Sequence, residues 1–552
     1  MTRRSIAESL SIELKSDRDK LSDRDLVETV VCLANAEGGQ IYLGVEDDGT
    51  ATGLHAARTS VSHLAAMIGN RTAPQVRVEV HELIDSGRRI ARIDVPKARH
   101  VVATSDGVIK RRRIGTDGKP ECVPMLPSEM PSRLSDLGVL DASRQAVPGA
   151  TLDDLDSAER SHLRQVVERR RGDPSLLGLS DEDLDGALGL VVREGSVRVP
   201  SLTGLLLIGR DVSLQRLVPT HEVAFQVLEG ESVRVNEFSR APLLRVFEWL
   251  ETLLTPLNSE QEMQVGLFRV AVPRVEREAF REGIANALCH RDYARMGAVH
   301  VRFEIDALSI SNPGGFVEGV STQNLLTTEP RPRNPNLADA LKRVGLVERT
   351  GRGVDKIYRG LLQYGRPQPD YSRSTASLVA LRMAANSTDL GFLRLVLEAE
   401  EKRGTSLPID SLIALSCLRD QRRVTAEELA RAIQKDRNAA KQTLEALVES
   451  GLAQPHGATS GRSYTLAAHV YATMGQQSAY TRQAGFEAIQ QEQMVLNYVR
   501  QNGSIQRPTV VELCHLSEDQ ATRLLKKLVE AGRLVAQGTR RWRKYVLAEG
   551  HG

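Results

Sequence analysis

The chain of 552 residues has few cysteines, few aromatic residues and almost no excess of either charge. Its five cysteines are odd in number and form no Cys-x-x-Cys pair, so the sequence indicates neither a zinc site nor a disulfide framework. A net charge of +2 excludes a global basic field, so any affinity for nucleic acid must come from local basic patches. Aromatic residues make up only 4% of the chain, which disfavours an extensive base-stacking surface.

Long hydrophobic runs are also missing. No run of about 18 apolar residues occurs, and the first residues have no apolar segment of signal-peptide length. We therefore expect no membrane association and a cytoplasmic location. The composition, 41% hydrophobic and 26% charged, is typical of globular proteins, and the length predicts about three to five domains.

The first 125 residues have the pattern of a small α+β unit. Alternation of polar and apolar residues predicts a strand over 11–15. A helix is predicted from Asp25 to Ala36, with Leu26, Val30 and Leu33 facing inward, and the glycine pair at 38–39 is a C-terminal signal. Strands are predicted over 40–45, 76–80 and 89–95, with a tight turn at 46–50.

Two parts of this segment resemble the Schlafen-type AlbA-like domain: Glu8, Glu13 and Lys15 at the start, then the run 34–49 (ANAEGGQIYLGVEDDG). The resemblance implies nucleic-acid binding. In some Schlafen proteins an acidic cluster cleaves RNA, so it also implies a metal-binding set of Glu8, Glu13 and either Asp47 or Asp48, with Lys15 beside a phosphate. The residues themselves leave a plain alternative, in which Glu13 and Lys15 form a same-face salt bridge and Asp47 belongs to a turn.

The densest early basic run lies within the same segment and is a candidate phosphate contact, although an exposed loop would explain it equally well. It consists of Lys110, Arg111, Arg112 and Arg113. Prolines and small residues over 126–150 then predict a linker.

The stretch 280–293 (FREGIANALCHRDY) is the most informative part of the middle segment, 151–385. Its apolar positions recur at helical spacing and can face a core: Ile284, Ala287 and Leu288. Three polar positions recur every four residues and share another stripe: Glu282, Asn286 and His290. A solvated polar face is the simple interpretation of this stripe, but the glycine-rich turns that follow favour a ligand site.

Two glycine-rich turns follow at separate points. Strands predicted over 298–305 and 308–311 run into Asn312-Pro313-Gly314-Gly315, and a loop and a helix over 337–344 then lead to 351–353 (GRG). A Gly-x-Gly before a helix leaves backbone N–H groups free to hold phosphate.

The order of these elements resembles the Bergerat-type ATP-binding fold of gyrase, Hsp90 chaperones, histidine kinases and MutL. It is more similar to a divergent branch found in bacterial and archaeal transcriptional regulators and in "RecG C-terminal-like" proteins. The chain has no Gly-x-x-x-x-Gly-Lys-[Ser/Thr] phosphate loop, so a helicase is not indicated.

The resemblance implies roles for individual residues. Asn286 would coordinate a magnesium ion that bridges the phosphates of ATP or another nucleotide, and Glu282 would orient or deprotonate water. Asn312 stands where the wider superfamily has an aspartate that accepts from adenine, so adenine selectivity is reduced. Further nucleotide contacts are implied for His290, Arg291, Gly314, Gly315, Arg333, Gly351 and Gly353. At most, weak ATP hydrolysis is expected.

The last third contains two copies of a helix, turn, helix and hairpin pattern, which predicts winged helices over 390–467 and 491–552. The first copy has a capping box, with Thr425 as N-cap and Glu428 three residues later. Residues 468–490 are predicted to form a helical connector, and pairing of this helix would be consistent with a homodimer or higher homo-oligomer. Basic residues on both copies are candidates for DNA contact: Lys441, Arg462, Lys526, Lys527, Arg540, Arg541, Arg543 and Lys544.

The sequence therefore predicts a multidomain α+β chain: an AlbA-like α+β domain, a Bergerat-like α/β sandwich with a helical N-terminal part, and two α-rich winged helices. Three functions remain open. The first is a nucleotide-responsive transcriptional regulator that binds duplex DNA. The second is a metal-dependent nuclease acting on RNA or DNA, for instance in phage defence, and the third is an assembly protein with a vestigial nucleotide pocket.

Overall fold

The computed structural model describes most of the chain. The described residues are 7–115, 118–230, 232–265, 268–347, 353–385, 388–457, 462–474, 491–514, 516, 518–538 and 543–548. Two compact units are present, Met1–Gln145 with Arg333–Pro335, and Ala146–Pro332 with Asn336–Gly552. None of the described helices combines the length and the apolar character that crossing a membrane requires.

The first unit contains a four-stranded sheet of order β1-β2-β5-β4, in which only β1 and β2 are parallel. Its strands are β1 (Ile12–Lys15), β2 (Gly39–Leu43), β3 (Thr72–Ala73), β4 (Glu79–Asp85), β5 (Arg88–Val95), β6 (Ala103–Thr104), β7 (Lys110–Ile114) and β8 (Pro120–Pro124). Its helices are α1 (Asp23–Ala34), α2 (Ser62–Asn70) and α3 (Met130–Asp136), with 3-10 turns at Pro127–Glu129 and Ala142–Arg144. The predicted linker 126–150 therefore contains helical structure.

Helix α1 packs on one face of this sheet. Leu26, Val30 and Leu33 are fully buried, as the sequence predicted, against strand residues such as Ile41 and Ile93. The helix ends at Ala34, shortly before the glycine pair, and Gly38 has φ +71° and donates its N–H to the Leu33 carbonyl at 2.9 Å. Only a residue without a Cβ adopts that conformation at little cost, so the predicted stop signal is confirmed.

Cys32 on α1 and Cys122 on β8 form a disulfide, with a Cα–Cα distance of 5.8 Å and a sequence separation of 90. The expectation that the cysteines are unpaired is therefore wrong for this pair. The hairpin of β7 and β8 packs against α1, and that tertiary contact brings together two cysteines whose sequence spacing has no recognisable pattern.

The second unit begins with short helices and a hairpin and continues into a five-stranded sheet of order β12-β11-β15-β16-β17. The elements up to this sheet are α4 (Ser157–Arg169), α5 (Asp181–Ala187), β9 (Val191–Glu194), β10 (Val197–Pro200), α6 (Leu202–Ile208), α7 (Asp211–Leu217), β11 (Val223–Glu229), β12 (Ser232–Ser239) and α8 (Leu243–Leu254), with 3-10 turns at Leu152–Asp154 and Pro174–Leu176. They continue with β13 (Glu260–Val265), β14 (Phe268–Pro273), α9 (Arg277–His290), β15 (Val299–Phe303), β16 (Ala307–Pro313), α10 (Pro335–Val344), α11 (Gly353–Leu362) and β17 (Leu378–Ala384).

The last third of the second unit is mainly helical. Its elements are α12 (Leu390–Arg403), α13 (Ile409–Gln421), β18 (Val424–Thr425), α14 (Ala426–Ile433), α15 (Arg437–Glu449), β19 (Ala453–His456), β20 (Ser463–Leu466), α16 (Ala468–Thr473), α17 (491–502), α18 (Arg507–Cys514), α19 (Glu518–Glu530), β21 (Leu534–Gln537) and β22 (Lys544–Leu547). The capping box at Thr425 and Glu428 is confirmed. Most of the predicted connector 468–490 lies outside the described residues.

Among the described residues, three large apolar cores stabilise the second unit. The sheet core joins helices α4–α10 to the five-stranded sheet and includes Ile357 and Leu361 of α11. The helical core joins α12–α16 and includes Tyr358 and Leu362 of the same α11. A separate core holds the elements between 495 and 547 together. Helix α11 therefore contributes to two cores.

Candidate functional site

Helix α9 lies directly on the five-stranded sheet. Glu276 caps its start by accepting the Ala279 N–H at 2.6 Å. The predicted core positions Ile284, Ala287 and Leu288 are at most 4% exposed. A Cβ added to Gly283 would lie 2.7 Å from Ile310 Cδ1 on β16, so glycine lets the helix approach the strand closely.

The polar stripe of α9 is not a solvated face. Glu282 is only 6% exposed, and Asn286 and His290 are half-buried. A Cβ added to Gly353 would come within 3.2 Å of Glu282 Cγ and would overlap the carboxylate itself. The Glu282 carboxylate therefore lies against the first residue of α11, and glycine at 353 is what makes room for it.

Glycine also brings the next turns of the two helices together. A Cβ on Gly360 would lie 2.9 Å from Ala279 Cβ. Since Gly353 and Gly360 are seven residues apart, they share one face of α11, and that face packs on α9. The first N–H groups of a helix have no intrahelical partner and favour anions, so the start of α11 is an electrostatically favourable place for the Glu282 carboxylate.

Aromatic residues lie near this end of α9: Tyr358 is buried, and Phe316 and Tyr371 are half-buried. Burial raises the pKa of the Tyr371 phenol, and the Tyr358 hydroxyl and the Glu282 carboxylate raise it further. Burial, with a smaller effect of Glu282, raises the pKa of the Cys289 thiol to about 12. The ring of Phe316 lies 6.1 Å from that of Tyr371. The surroundings of Glu282 are therefore poorly hydrated, and charged groups interact strongly there. Local sequence spacing gave no signal for these aromatic residues.

The two motifs that the sequence singled out are brought together by a backbone contact. Asp292 donates its N–H to the Pro313 carbonyl at 2.9 Å, which joins the end of α9 to the glycine turn after β16. Asp292 is itself fixed by Arg295, whose Nε donates to Oδ2 at 2.9 Å. The stripe and the Asn-Pro-Gly-Gly turn therefore border one region of the second unit.

Arg291 does not face this region, which corrects its predicted role as a phosphate contact. Its side chain is 0% exposed, and its guanidinium donates to the carbonyls of Asp292 at 3.0 Å, Gly297 at 2.6 Å and Thr220. Because these carbonyls use its donors inside the fold, Arg291 stabilises the turn after α9.

The Asn-Pro-Gly-Gly turn is closely packed. Asn312 is 3% exposed, and its Nδ2 donates to the Pro313 carbonyl at 3.3 Å. Gly314 has φ +99°, and a Cβ on Gly315 would lie 2.6 Å from the Ala376 carbonyl oxygen. Both glycines therefore allow the turn to approach the residues before β17.

Two further candidates lie elsewhere. Arg333 belongs to the first unit, where it is 3% exposed and pairs with Asp136. Gly351 lies outside the described residues.

The acidic residues that the sequence predicted as a metal-binding set are not gathered together. Glu13 is 6% exposed and pairs with Lys15 Nζ at 2.6 Å and with the fully buried guanidinium of Arg112. Glu8 Oε1 accepts the Leu14 N–H at 3.3 Å, and Asp47 is exposed. Among the described residues, the carboxylates of Glu8, Glu13 and Asp47 are not close enough together to share an ion. The salt-bridge alternative at Glu13 and Lys15 is therefore present in the structure.

The basic run at 110–113 forms strand β7, and each of its side chains pairs with a carboxylate. Lys110 Nζ lies 2.5 Å from Glu28, and Arg113 Nε lies 2.7 Å from Glu121. Arg111 pairs with Glu129. Arg112 is buried, so it cannot contact a phosphate, and the other three present charge that is already partly neutralised.

The basic residues of the last third differ in their partners. Arg462 pairs with Glu445 at 3.1 Å, Lys526 with Glu530 at 3.6 Å and Lys527 with Glu492 at 2.7 Å. No carboxylate within the described part of the chain pairs with the exposed residues Lys441, Arg543 and Lys544. Arg540 and Arg541 lie outside the described residues.

Four family models match successive parts of the chain. "Schlafen, AlbA_2" matches 8–119, and a domain of unknown function, DUF8451, matches 134–224. "Putative ATP-dependent DNA helicase recG C-terminal" (HATPase_c_4) matches 297–381, a range that includes the glycine turn and Gly353 but begins after α9. "DNA glycosylase AlkZ-like" matches 370–551. The AlkZ-like match was not anticipated from the sequence.

A crystal structure of the DIP2311 protein from Corynebacterium diphtheriae is similar along nearly the whole chain. The identity is 23%, the coverage is 98% of this chain and 95% of the other, and the TM-score is 0.51. No curated protein matches the chain. The chain therefore combines a Schlafen AlbA_2 region, a RecG C-terminal-like ATPase region and an AlkZ-like region within one mixed α+β architecture.

Proposed function

We propose that the protein is a nucleotide-responsive DNA-binding protein that acts as a transcriptional regulator. The observation that supports this most directly is the Glu282 carboxylate lying against Gly353 at the start of α11. The start of α11 and the adjoining Asn-Pro-Gly-Gly turn would bind the phosphates of a nucleotide, and Glu282 would lie beside them to orient water.

The residues present fit a nucleotide with magnesium. Asn286 lies one turn after Glu282 and is half-buried, and its amide oxygen would be the ligand for magnesium held by the phosphates. Bound magnesium would neutralise phosphate charge. Glu282 would orient water in poorly hydrated surroundings, which permits at most slow hydrolysis. His290, Gly314, Gly315 and Gly353 complete the proposed nucleotide set.

Asn312 lowers the expected selectivity of the site for adenine. Asn312 has an amide where an aspartate would accept from the adenine amino group, and its Nδ2 already donates to the Pro313 carbonyl. Its carbonyl oxygen can still accept, but without a negative charge. We therefore expect ATP to bind with less preference over other nucleoside triphosphates than in a site with aspartate.

Thermal unfolding with magnesium and ATP tests the nucleotide site. Ligand at 100 times its Kd stabilises a folded protein by about 2.7 kcal/mol, so the melting temperature of the wild type rises. Asn286→Ala abolishes this rise, whereas Asn70→Ala, the same change at an exposed position, preserves it. If no nucleoside triphosphate shifts the wild-type transition, the assembly protein with a vestigial pocket becomes the better proposal.

Duplex DNA is the partner that the last third supports. The AlkZ-like match covers it, and α14, α15 and the β19–β20 hairpin have the order of a winged helix, with α15 as the recognition helix. Lys441 on α15 is exposed, and the second copy presents Lys526 and Lys527 on α19. Arg462, Arg543 and Lys544, with Arg540 and Arg541, complete the proposed phosphate contacts.

The salt dependence of DNA binding tests this surface. Each phosphate contact contributes about 0.9 to the slope of log Kd against log salt concentration. Lys441→Ala and Arg541→Ala should each lower the slope by about one contact, whereas Lys402→Ala, an exposed position on α12, should not change it. An unchanged slope in both variants would show that these two residues do not contact the phosphates of the DNA.

The nuclease alternative has less support from the structure because Glu13 is neutralised by two cations. It is tested by incubating labelled tRNA and DNA with magnesium or manganese. Glu13→Gln is a better variant than alanine, since it keeps a polar group beside buried Arg112. If the wild type cleaves nucleic acid and both Glu13→Gln and Asp47→Asn abolish the cleavage, the nuclease function would replace our proposal.

We also propose that the protein forms a homodimer or a higher homo-oligomer. The mass measured by light scattering tests this.

A further inference from the structure

The loop that follows the Asn-Pro-Gly-Gly turn is hydrogen-bonded to the turn between α14 and α15. Gln434 Oε1 accepts the Leu326 N–H at 2.8 Å, and Gln434 Nε2 donates to the Thr322 carbonyl at 2.9 Å. One side chain therefore binds the loop backbone at two points four residues apart. We call these two bonds the Gln434 contact.

The loop segment that Gln434 binds, 319–328, is internally ordered. Asn324 Nδ2 donates to the Gly319 carbonyl at 2.8 Å, and Asn324 Oδ1 accepts the Ser321 N–H at 2.7 Å. Thr328 donates its N–H to the Asn324 carbonyl at 2.9 Å. Because Asn324 closes the segment on itself, the 319–328 loop can move as one body.

The same segment also packs against the helical core. Leu326 is half-buried against that core, so the contact has an apolar part as well as two hydrogen bonds. Gln434 itself has φ +58°, an uncommon conformation for a residue other than glycine, and it ends α14. Gln434 stands two residues before Asp436, the N-cap of α15, so the docked loop lies beside the start of α15.

At its other end the loop is joined to the proposed nucleotide site. Gly315 is only a few residues before Gly319, and the turn it belongs to is bonded through Pro313 to the end of α9. Helix α11 makes a second connection, because it begins against Glu282 and also buries Tyr358 and Leu362 in the helical core. The site and the α14–α15 turn therefore share two physical links.

We propose that the Gln434 contact couples nucleotide binding at the Glu282–Gly353 site to DNA binding by α15. The docked 319–328 loop occupies space beside the start of α15 that duplex DNA also requires. A nucleotide that draws the loop toward its phosphates breaks the Gln434 contact and frees this space. Nucleotide therefore strengthens DNA binding, and by linkage DNA strengthens nucleotide binding by the same factor. This inference rests on the proposed function.

Three variants separate the parts of the contact. Gln434→Gly removes both hydrogen bonds and suits the positive φ, so it does not strain the turn. Gln434→Glu keeps the acceptor for Leu326 N–H but loses the donor to the Thr322 carbonyl. Gln421→Gly is the control, because Gln421 is exposed at the end of α13. Loss of the two neutral hydrogen bonds of the Gln434 contact should strengthen DNA binding by about 10-fold.

The first measurement is duplex DNA affinity with and without magnesium and ATP. In the wild type and in Gln421→Gly, ATP should strengthen binding by about 10-fold. Gln434→Gly should bind DNA without nucleotide as tightly as the wild type does with it, and Gln434→Glu should lie between. A Gln434→Gly protein that has wild-type affinity and still responds to ATP would overturn the inference.

Hydrogen exchange on the same proteins distinguishes a failed coupling from a failed nucleotide site. ATP should protect peptides of α9 in every variant, while exchange in 319–328 and 434–441 changes together only in the wild type and the control. Protection of α9 with no change in 434–441 of the wild type overturns the coupling and leaves the nucleotide site standing. No protection of α9 in any protein overturns the proposed nucleotide site, and the coupling with it.

Discussion

Replacing Gly353 by alanine tests the packing of α11 on α9. The new Cβ would overlap the Glu282 carboxylate, and Glu282 is only 6% exposed, so the carboxylate must move within a closely packed region. Overpacking of this kind costs about 1–3 kcal/mol. The lower entropy of the unfolded chain returns about 0.4–1 kcal/mol. We therefore expect Gly353→Ala to destabilise this region by about 1–2 kcal/mol.

Removing the carboxylate should reverse that loss. In the double variant Gly353→Ala with Glu282→Ala, the added methyl group takes up the space that the carboxylate leaves. The two substitutions should therefore deviate from additivity by at least about 1 kcal/mol, in the direction of compensation. Gly186→Ala in α5 is the matched control, because a Cβ there meets nothing within 4 Å and should stabilise the helix by about 0.5–1 kcal/mol.

Native-state hydrogen exchange of residues 277–290 is the appropriate assay, since it reports the local opening free energy of α9 within a chain of several cores. If Gly353→Ala leaves exchange in α9 unchanged, or if the two substitutions add within about 0.5 kcal/mol, the carboxylate does not lie against residue 353. The nucleotide site proposed here would then lose its central observation.

Two further predictions concern buried charge. Burial lowers the pKa of His221 from 6.5 to about 4, so the folded state favours the neutral imidazole, and the free energy of unfolding falls by about 3 kcal/mol as the pH falls from 6.5 to 4. Urea unfolding at pH 7 and pH 4.5 should show this loss in the wild type and not in His221→Gln. An equal loss in both proteins would assign it to other groups. Arg112→Ala leaves the buried Glu13 carboxylate with only Lys15 as a partner and should lower stability in thermal unfolding by about 3–5 kcal/mol. Arg113→Ala, on the exposed side of β7, should lower it by at most about 1 kcal/mol. Similar losses in the two variants would contradict the burial of Arg112.

Local structure was largely predictable because periodicity and caps are encoded in neighbouring residues. The inward face of α1, the end of that helix shortly before Gly38 and the capping box at Thr425 all follow from residues within a few positions of each other. The stripe of Glu282, Asn286 and His290 was identified in the same way.

Contacts between distant residues could not be predicted. The buried ion pair of Asp17 and Arg58 joins residues 41 apart, and the Arg112 guanidinium bonds a carbonyl 103 residues away. The run at 110–113 has the composition of a phosphate-binding patch, but its carboxylate partners come from α1, β1, β8 and the turn before α3. Composition identifies charge, whereas only the fold decides whether that charge is already neutralised.

Helix α11 has a consequence for dividing the protein into fragments. The RecG C-terminal-like match ends at residue 381 and the AlkZ-like match begins at 370, which suggests a fragment boundary near 385. A fragment that ends there would expose Tyr358 and Leu362 to water, and a fragment that begins there would lack both residues from its interior. Each piece would have an incomplete core and a tendency to aggregate. A fragment of the helical region that includes α11 from residue 353 onward would retain these two side chains.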